Sequence, residues 1–267
     1  MRKIFLPLML LLFILSGCGG EKDPGNVNSM KHNRQIIVGI DDEYPPMGFR
    51  NDKGEIVGFD VDLAKEAAKR MGVQVEFKPI NWGNKEKELD SANIDLIWNG
   101  LDITPERKER ILYSKPYMDN RQILLVKKDS AFDIYSEYDL AGKVVGTQYG
   151  SNSRDYIEEN KELKNSLKEF KTYVSFKEAF LDLAIGEIEV LIVDELAGRY
   201  EMNKQPFKFD VIDVTIGPVT EIGIGFAKNN TELRDKVQTV FDSMIKDGTA
   251  QQISKNWFQA DLIKSHI

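Results

Sequence analysis

Four short segments carry the side chains with the most chemical potential. Asp41–Met47, Asn99–Arg107, Gln148–Asn152 and Asp194–Glu195 each follow an apolar stretch that reads as a strand. In open α/β sheets, ligands bind beyond the carboxyl ends of the strands. Arg107 can fork onto a carboxylate through two parallel hydrogen bonds. Its neighbours Glu106, Lys108, Glu109 and Arg110 are charged too, so a solvated face fits it equally well. Asp194 closes the apolar run Val190–Val193. An unpaired carboxylate there is costly to bury, unless it caps the following helix. Glu195 beside it reads as solvated. Ser151 and Asn152 follow Gly150 at a strand-to-helix turn, whose free N–H groups suit a carboxylate and equally make an ordinary capped turn.

Other chemistries lack their residues. The histidines are His32 and His266, near the two ends, and the one cysteine is Cys18. Ser-His-Asp and Cys-His catalysis, and zinc held by His or Cys, are therefore excluded. No Gly-x-x-x-x-Gly-Lys phosphate loop occurs. Carboxylate-only and Ser-Lys chemistry stay open. No cofactor or metal is expected. The formal net charge of −7 argues against a nucleic-acid partner.

The elements that must position these residues follow from periodicity. Ile36–Ile40 is a short apolar strand. Asp60–Met71 reads as a helix with Leu63, Ala64, Ala67, Ala68 and Met71 on one face, Asp60 as its cap and Gly72 as its stop. Val73, Val75 and Phe77 alternate as a strand. Lys85–Ser91 reads as a helix and Ile94–Trp98 as a buried strand, with Trp98 in the core. This β-α-β-α-β order predicts a parallel sheet covered by helices on both faces. The second half repeats it: strand Lys143–Thr147, helix Asn152–Asn160, strand Phe170–Val174, helix Phe176–Ile185 and strand Ile188–Val193. An internal echo supports two similar halves. Leu89-Asp-Ser-Ala-Asn-Ile-Asp-Leu-Ile and Leu183-Ala-Ile-Gly-Glu-Ile-Glu-Val-Leu run in the same order of helix end, turn and strand. Gln122–Val126 and Gly223–Phe226 are further strands, and helices Thr231–Lys246 and Ala250–Phe258 close the chain.

The first residues address the chain. Arg2 and Lys3, the apolar run Ile4–Leu15 and small residues before Cys18 describe a secretory signal peptide over 1–17. The run is shorter than the roughly 20 residues a membrane span needs. Leu15-Ser-Gly-Cys18 resembles the bacterial lipobox, which implies lipidation at Cys18. Residues 18–33, almost free of apolar side chains, read as a flexible tether.

Several stretches in fixed order carry a wider resemblance. They are Gly39-Ile-Asp-Asp-Glu-Tyr-Pro-Pro-Met, Gly58-Phe-Asp-Val-Asp-Leu-Ala, Ile94-Asp-Leu-Ile-Trp-Asn-Gly-Leu-Asp-Ile-Thr-Pro-Glu-Arg, Ser114-Lys-Pro-Tyr, Lys143-Val-Val-Gly-Thr-Gln-Tyr-Gly-Ser, Asp247-Gly-Thr and Trp257-Phe. Together they resemble the family 3 solute-binding proteins of bacterial ABC importers for polar amino acids, over about Gln35 to Phe258. The resemblance implies a periplasmic-binding-protein-like α/β fold, two Rossmann-like lobes joined by crossover strands near Arg121–Val126 and Val219–Ile224. Lobe one would take 34–121 plus 220–262, and lobe two 122–219. It implies no enzymatic activity, a small polar amino acid as ligand, permease subunits as partners, and an extracytoplasmic position. A dehydratase-like enzyme or a sensing module on the same fold are the alternatives.

The resemblance also implies roles. Arg107 would hold the ligand carboxylate and Asp194 its ammonium, while Ser151 and Asn152 close lobe two over it. Asp41, Tyr44 and Trp82 would line the cleft, although both aromatics also fit a core. Asn99 and Gly100 precede the position where the family usually has Ser or Thr. Here it is Asp102, facing the ligand or capping the Thr104–Arg110 turn. With Asp41, Asp102 and Asp194 against Arg107 as the only cation placed in the cleft, a neutral or cationic amino acid is expected over an acidic one, with glutamine, cystine, arginine and lysine first.

Overall fold

The computed structural model describes residues 35–265, all within the unit Arg34–Ile267. The signal-peptide, tether and Cys18 expectations, and both histidines, lie outside the described residues. The strands are β1 Gln35–Ile40, β2 Glu43–Tyr44, β3 Gly48–Arg50, β4 Ile56–Val57, β5 Gln74–Pro79, β6 Leu96–Ile97, β7 Ile111–Tyr113, β8 Met118–Lys127, β9 Val144–Gln148, β10 Glu169–Tyr173, β11 Val190–Asp194, β12 Phe209–Ile222 and β13 Gly225–Ala227. The helices are α1 Phe59–Met71, α2 Lys85–Asp90, α3 Pro105–Arg110, α4 Asn152–Glu159, α5 Lys161–Ser166, α6 Phe176–Ile185, α7 Glu195–Lys204, α8 Thr231–Lys246 and α9 Thr249–Phe258.

Two five-stranded sheets organise the chain, in the orders β5-β1-β6-β13-β7 and β10-β9-β11-β8-β12. Each defines a lobe. In both, the first of three helix-linked strands lies between the second and the third, β1 between β5 and β6 and β9 between β10 and β11, and these three are parallel. The echo between Leu89–Ile97 and Leu183–Leu191 falls on the equivalent third strands, β6 and β11. The sheets are mixed rather than purely parallel. β13 runs antiparallel to β6, and β8 antiparallel to β11. These are the strands by which the chain enters one lobe from the other. A small sheet, β2-β3-β4, hangs on the first lobe.

The chain changes lobe twice, once into β8 and once out of β12. These two strands pair antiparallel from Phe209 opposite Lys127 to Ile222 opposite Met118, with register shifts around Ile216.

Local sequence explains the helices that frame the cleft. In α6, Ser175 accepts the Glu178 N–H as N-cap and Gly186 ends the helix in the left-handed conformation. Its Phe176, Ala179, Phe180 and Leu183, at positions i, i+3, i+4 and i+7, are buried. α1 differs from expectation. It starts at Phe59 after Gly58, and Asp60 does not cap it. The Asp60 carboxylate is fully buried and accepts the Gly100 N–H at 2.7 Å and the Tyr117 hydroxyl at 2.8 Å. Trp98 is core, edge-on to Phe241 with ring centroids 5.6 Å apart. No helix among the described residues is long and apolar enough to cross a membrane.

Candidate ligand cleft

A narrow cavity of about 10 Å³ lies where the two lobes meet. Asp41, Tyr44, Trp82, Gly100 and Asp102 line it from lobe one, and Gln148, Ser151, Asn152 and Asp194 from lobe two. All but Gln148 were named individually from the sequence, and Gln148 opens the expected segment Gln148–Asn152.

Three carboxylates converge there. Asp41, just beyond β1, accepts the Glu43 N–H at 2.9 Å and the Gln148 amide at 2.6 Å from the other lobe. Burial pushes its pKa up to about 6. Asp102 accepts the Asn120 amide at 2.9 Å and the Thr220 hydroxyl at 2.6 Å. Its other oxygen lies 4.0 Å from the Arg107 guanidinium. Burial and the neighbouring Asp194 raise Asp102 to about 6, against the pull of Arg107. Asp102 therefore faces the cleft, and Thr104 is the cap of α3, accepting the Arg107 N–H. Asp194 occupies the N-cap position of α7 but makes no side-chain cap. It accepts instead from the Tyr44 hydroxyl and from the Asn120 and Gln122 amides. Tyr44 is thus both buried and in the cleft, its phenol pushed well up by burial and by Asp194.

The remaining expected residues divide. Ser151 caps α4 by accepting the Arg154 N–H at 3.1 Å, and Asn152 opens that helix. Gly100 has a φ of 60°, and a Cβ there would stand 2.9 Å from the Tyr44 ring. Asn99 does not line the cavity; its side-chain oxygen accepts the Asp41 N–H at 2.9 Å and so positions Asp41. Arg107 does not line it either. It lies behind Asp102, 3 % exposed, and donates to the Gly150 carbonyl at 3.1 Å and to Asp155 at 3.4 Å in lobe two.

Sequence reasoning missed several neighbours. Gln148, Asn120, Gln122 and Thr220 hold the three carboxylates. Glu195 is not simply solvated, since it pairs with Arg121 and Arg199. Arg107 is not the only cation. Lys85 is 4 % exposed, and its ammonium donates to the Gly150 carbonyl at 2.9 Å and the Trp82 carbonyl at 3.3 Å. It stands 5.1 Å from the Trp82 ring centroid. Burial, then Arg107, pushes Lys85 down to about 7. The only signal for it was a lysine beside Trp82 at a helix start. Among the described residues, no group of three or more His, Cys, Asp or Glu side chains is arranged to hold a metal.

The model of bacterial extracellular solute-binding proteins, family 3, matches residues 36–260. The chain belongs to this family. Among its relatives is the L-cystine-binding protein TcyJ of Escherichia coli (strain K12), 34 % identical over 91 % of this chain and 89 % of that one. An ABC uptake transporter substrate-binding protein from Streptococcus pneumoniae, solved with bound histidine, superposes with a TM-score of 0.82 at 36 % identity, covering 87 % of this chain and 95 % of the other. The ancestral amino-acid-binding protein AncCDT-1, a precursor of cyclohexadienyl dehydratase, gives 0.78 at 33 % identity, covering 86 % and 97 %. The two-lobe α/β architecture expected from the sequence is that of these solved relatives. In this chain Asp102 adds a third carboxylate to the cleft beside Asp41 and Asp194.

Proposed function

We propose that this protein captures a small polar amino acid between its lobes outside the cytoplasm and presents it to the membrane subunits of an ABC importer. The observation that carries this reading is the convergence of Asp41 and Asp102 from one lobe with Asp194 from the other on a single cavity, with Arg107 buried behind it. The ligand carboxylate takes the place of Asp155 as partner of Arg107, helped by the N-terminus of α4. The ammonium takes the place of the Tyr44 hydroxyl and the Asn120 amide on Asp194 and Asp102. Ligand closes the lobes only to the extent that it binds the closed form better. The hinge is the β8–β12 pair.

Three acids against Arg107 and Lys85 leave the cleft negative at neutral pH. Two like unit charges about 4 Å apart repel by roughly 4 kcal/mol at intermediate dielectric. Acidic side chains are therefore refused, and neutral or cationic amino acids accepted. The ligands named for the relatives, cystine and histidine, fall in that class. A lipid on Cys18 holds the protein at the membrane, and the protein performs no chemistry on its ligand. AncCDT-1 gives the one reason to test for dehydratase activity.

A thermal-shift panel of the twenty amino acids plus ornithine, citrulline and cystine tests the reading. At 100 times Kd, the true ligand stabilises by about 2.7 kcal/mol. A panel in which no amino acid raises the melting midpoint would sink the proposal, and ligand consumed on incubation would favour the enzyme.

A further inference from the structure

The lobes also meet beside the cavity, at a contact centred on two glycines that do not line it. The Trp82–Asn84 turn of lobe one faces the Tyr149–Gly150 turn of lobe two. A Cβ on Gly150 would stand 2.8 Å from the Gly83 Cα, and a Cβ on Gly83 would stand 2.3 Å and 2.4 Å from two carbons of the Tyr149 ring. Two backbones approach this closely only where side chains are missing. The Gly150 carbonyl, at the centre of the contact, accepts from both Lys85 at 2.9 Å and Arg107 at 3.1 Å. Both donors come from lobe one. Gly83, Lys85, Tyr149 and Gly150 are absent from the cavity wall.

A lysine so deeply buried carries a desolvation cost, and Arg107 beside it adds repulsion. Its attraction to the lobe-two carbonyl exists only while the lobes are together. Apparent affinity is the intrinsic affinity scaled by the fraction of protein in the competent state. A lobe-to-lobe contact that does not touch the ligand therefore changes every Kd by one factor.

We propose that Gly83, Lys85 and the Tyr149–Gly150 turn form a latch that sets the closed fraction of the protein and scales its affinity for all ligands alike, without choosing among them. The ligand half of this statement rests on the function proposed above; the closure half does not. Lys85 and Gly83 are positioning residues in this scheme.

The test uses Gly83→Ala, Gly83→Ala with Tyr149→Ala, and Lys85→Met in the full chain. Gly83 lies outside the left-handed region, so alanine suits its backbone when the lobes are apart. Gly83→Ala is expected to weaken glutamine, arginine and cystine by one common factor, about ten- to a hundredfold by titration calorimetry. The radius of gyration from small-angle scattering should rise, with the melting midpoint of ligand-free protein unchanged. Tyr149→Ala removes the ring that the new methyl meets and should restore both affinity and compactness. Lys85→Met also removes a charge, so it is read on ligands without a net charge: it should weaken glutamine and cystine equally, by about tenfold or more. Factors that differ among ligands by more than a few-fold would overturn the latch in favour of a direct ligand contact, and so would failure of the Tyr149→Ala rescue. If no amino acid binds the wild type, scattering still decides: an expanded Gly83→Ala protein supports the latch, and an unexpanded one refutes it.

Discussion

Asp102→Asn probes the charge logic of the cleft most directly. Asparagine keeps the size of the side chain, and its oxygen can still accept from Asn120 and Thr220. One negative charge leaves. Amino acids share the zwitterionic end, so ratios of their affinities isolate the side chain. A charged ligand side chain about 6 Å from residue 102 feels roughly 3 kcal/mol at an effective dielectric near 20. In the variant, glutamate should therefore gain on glutamine by about thirty- to a hundredfold, and arginine should lose on glutamine by a similar factor. Because Asp102 and Asp41 are pushed up to about 6, taking the wild type from pH 7.5 to 5 should move both ratios the same way. Titration calorimetry with the three ligands on both proteins reads this out. Ratios unchanged within threefold, or wild type that prefers glutamate to glutamine, would refute the reasoning.

Other consequences are equally open to measurement. Arg107→Ala should leave the far-ultraviolet circular dichroism intact and cost about 3–5 kcal/mol of ligand affinity, since it leaves the ligand carboxylate buried without its partner; an affinity within a few-fold of wild type by calorimetry would remove Arg107 from the site. Asp60 has its pKa raised to about 7 by burial, against about 4 unfolded. The folded state thus binds the extra proton, and wild type should gain stability over Asp60→Asn as pH falls from about 8 to 5, by at most about 3 kcal/mol in urea unfolding. A flat difference would contradict the burial argument. Cys18→Ala should release the protein from the membrane fraction or leave its leader uncut; fractionation and migration like wild type would disprove the lipid anchor.

Much of this arrangement is legible in the sequence where local rules decide. Phe176–Ile185 and Thr231–Lys246 match their helices because a capping side chain and an apolar stripe coincide with the packed face. β12 was not read. Gly217 and Pro218 interrupt it, and proline is tolerated because β12 is an edge strand of its sheet. Asp60 fits a cap by position, but the Gly100 loop, distant in sequence, claims its carboxylate. Asn120 and Gln122 did leave a signal. Two amides two residues apart share a face of the strand, opposite the charged Asp119 and Arg121, and both are buried. Lys85 left almost none, because a lysine at a helix start usually points to water. The Gly150 carbonyl opposite it and the Trp82 carbonyl and ring beneath it account for the burial.

The interruption of the first sheet has a consequence in time. β7 has no sheet neighbour but β13, and β13 also pairs with β6. As the chain emerges, every residue of the second lobe appears before β13 does. The second sheet can thus be complete while the first still lacks the strand that joins its halves. Pairing across so long a separation is intrinsically slow. On refolding from urea, amide protection should reach Val144–Gln148 before Leu96–Ile97. The lobe that begins first finishes last, so the chain stays pliable longest in the half made first.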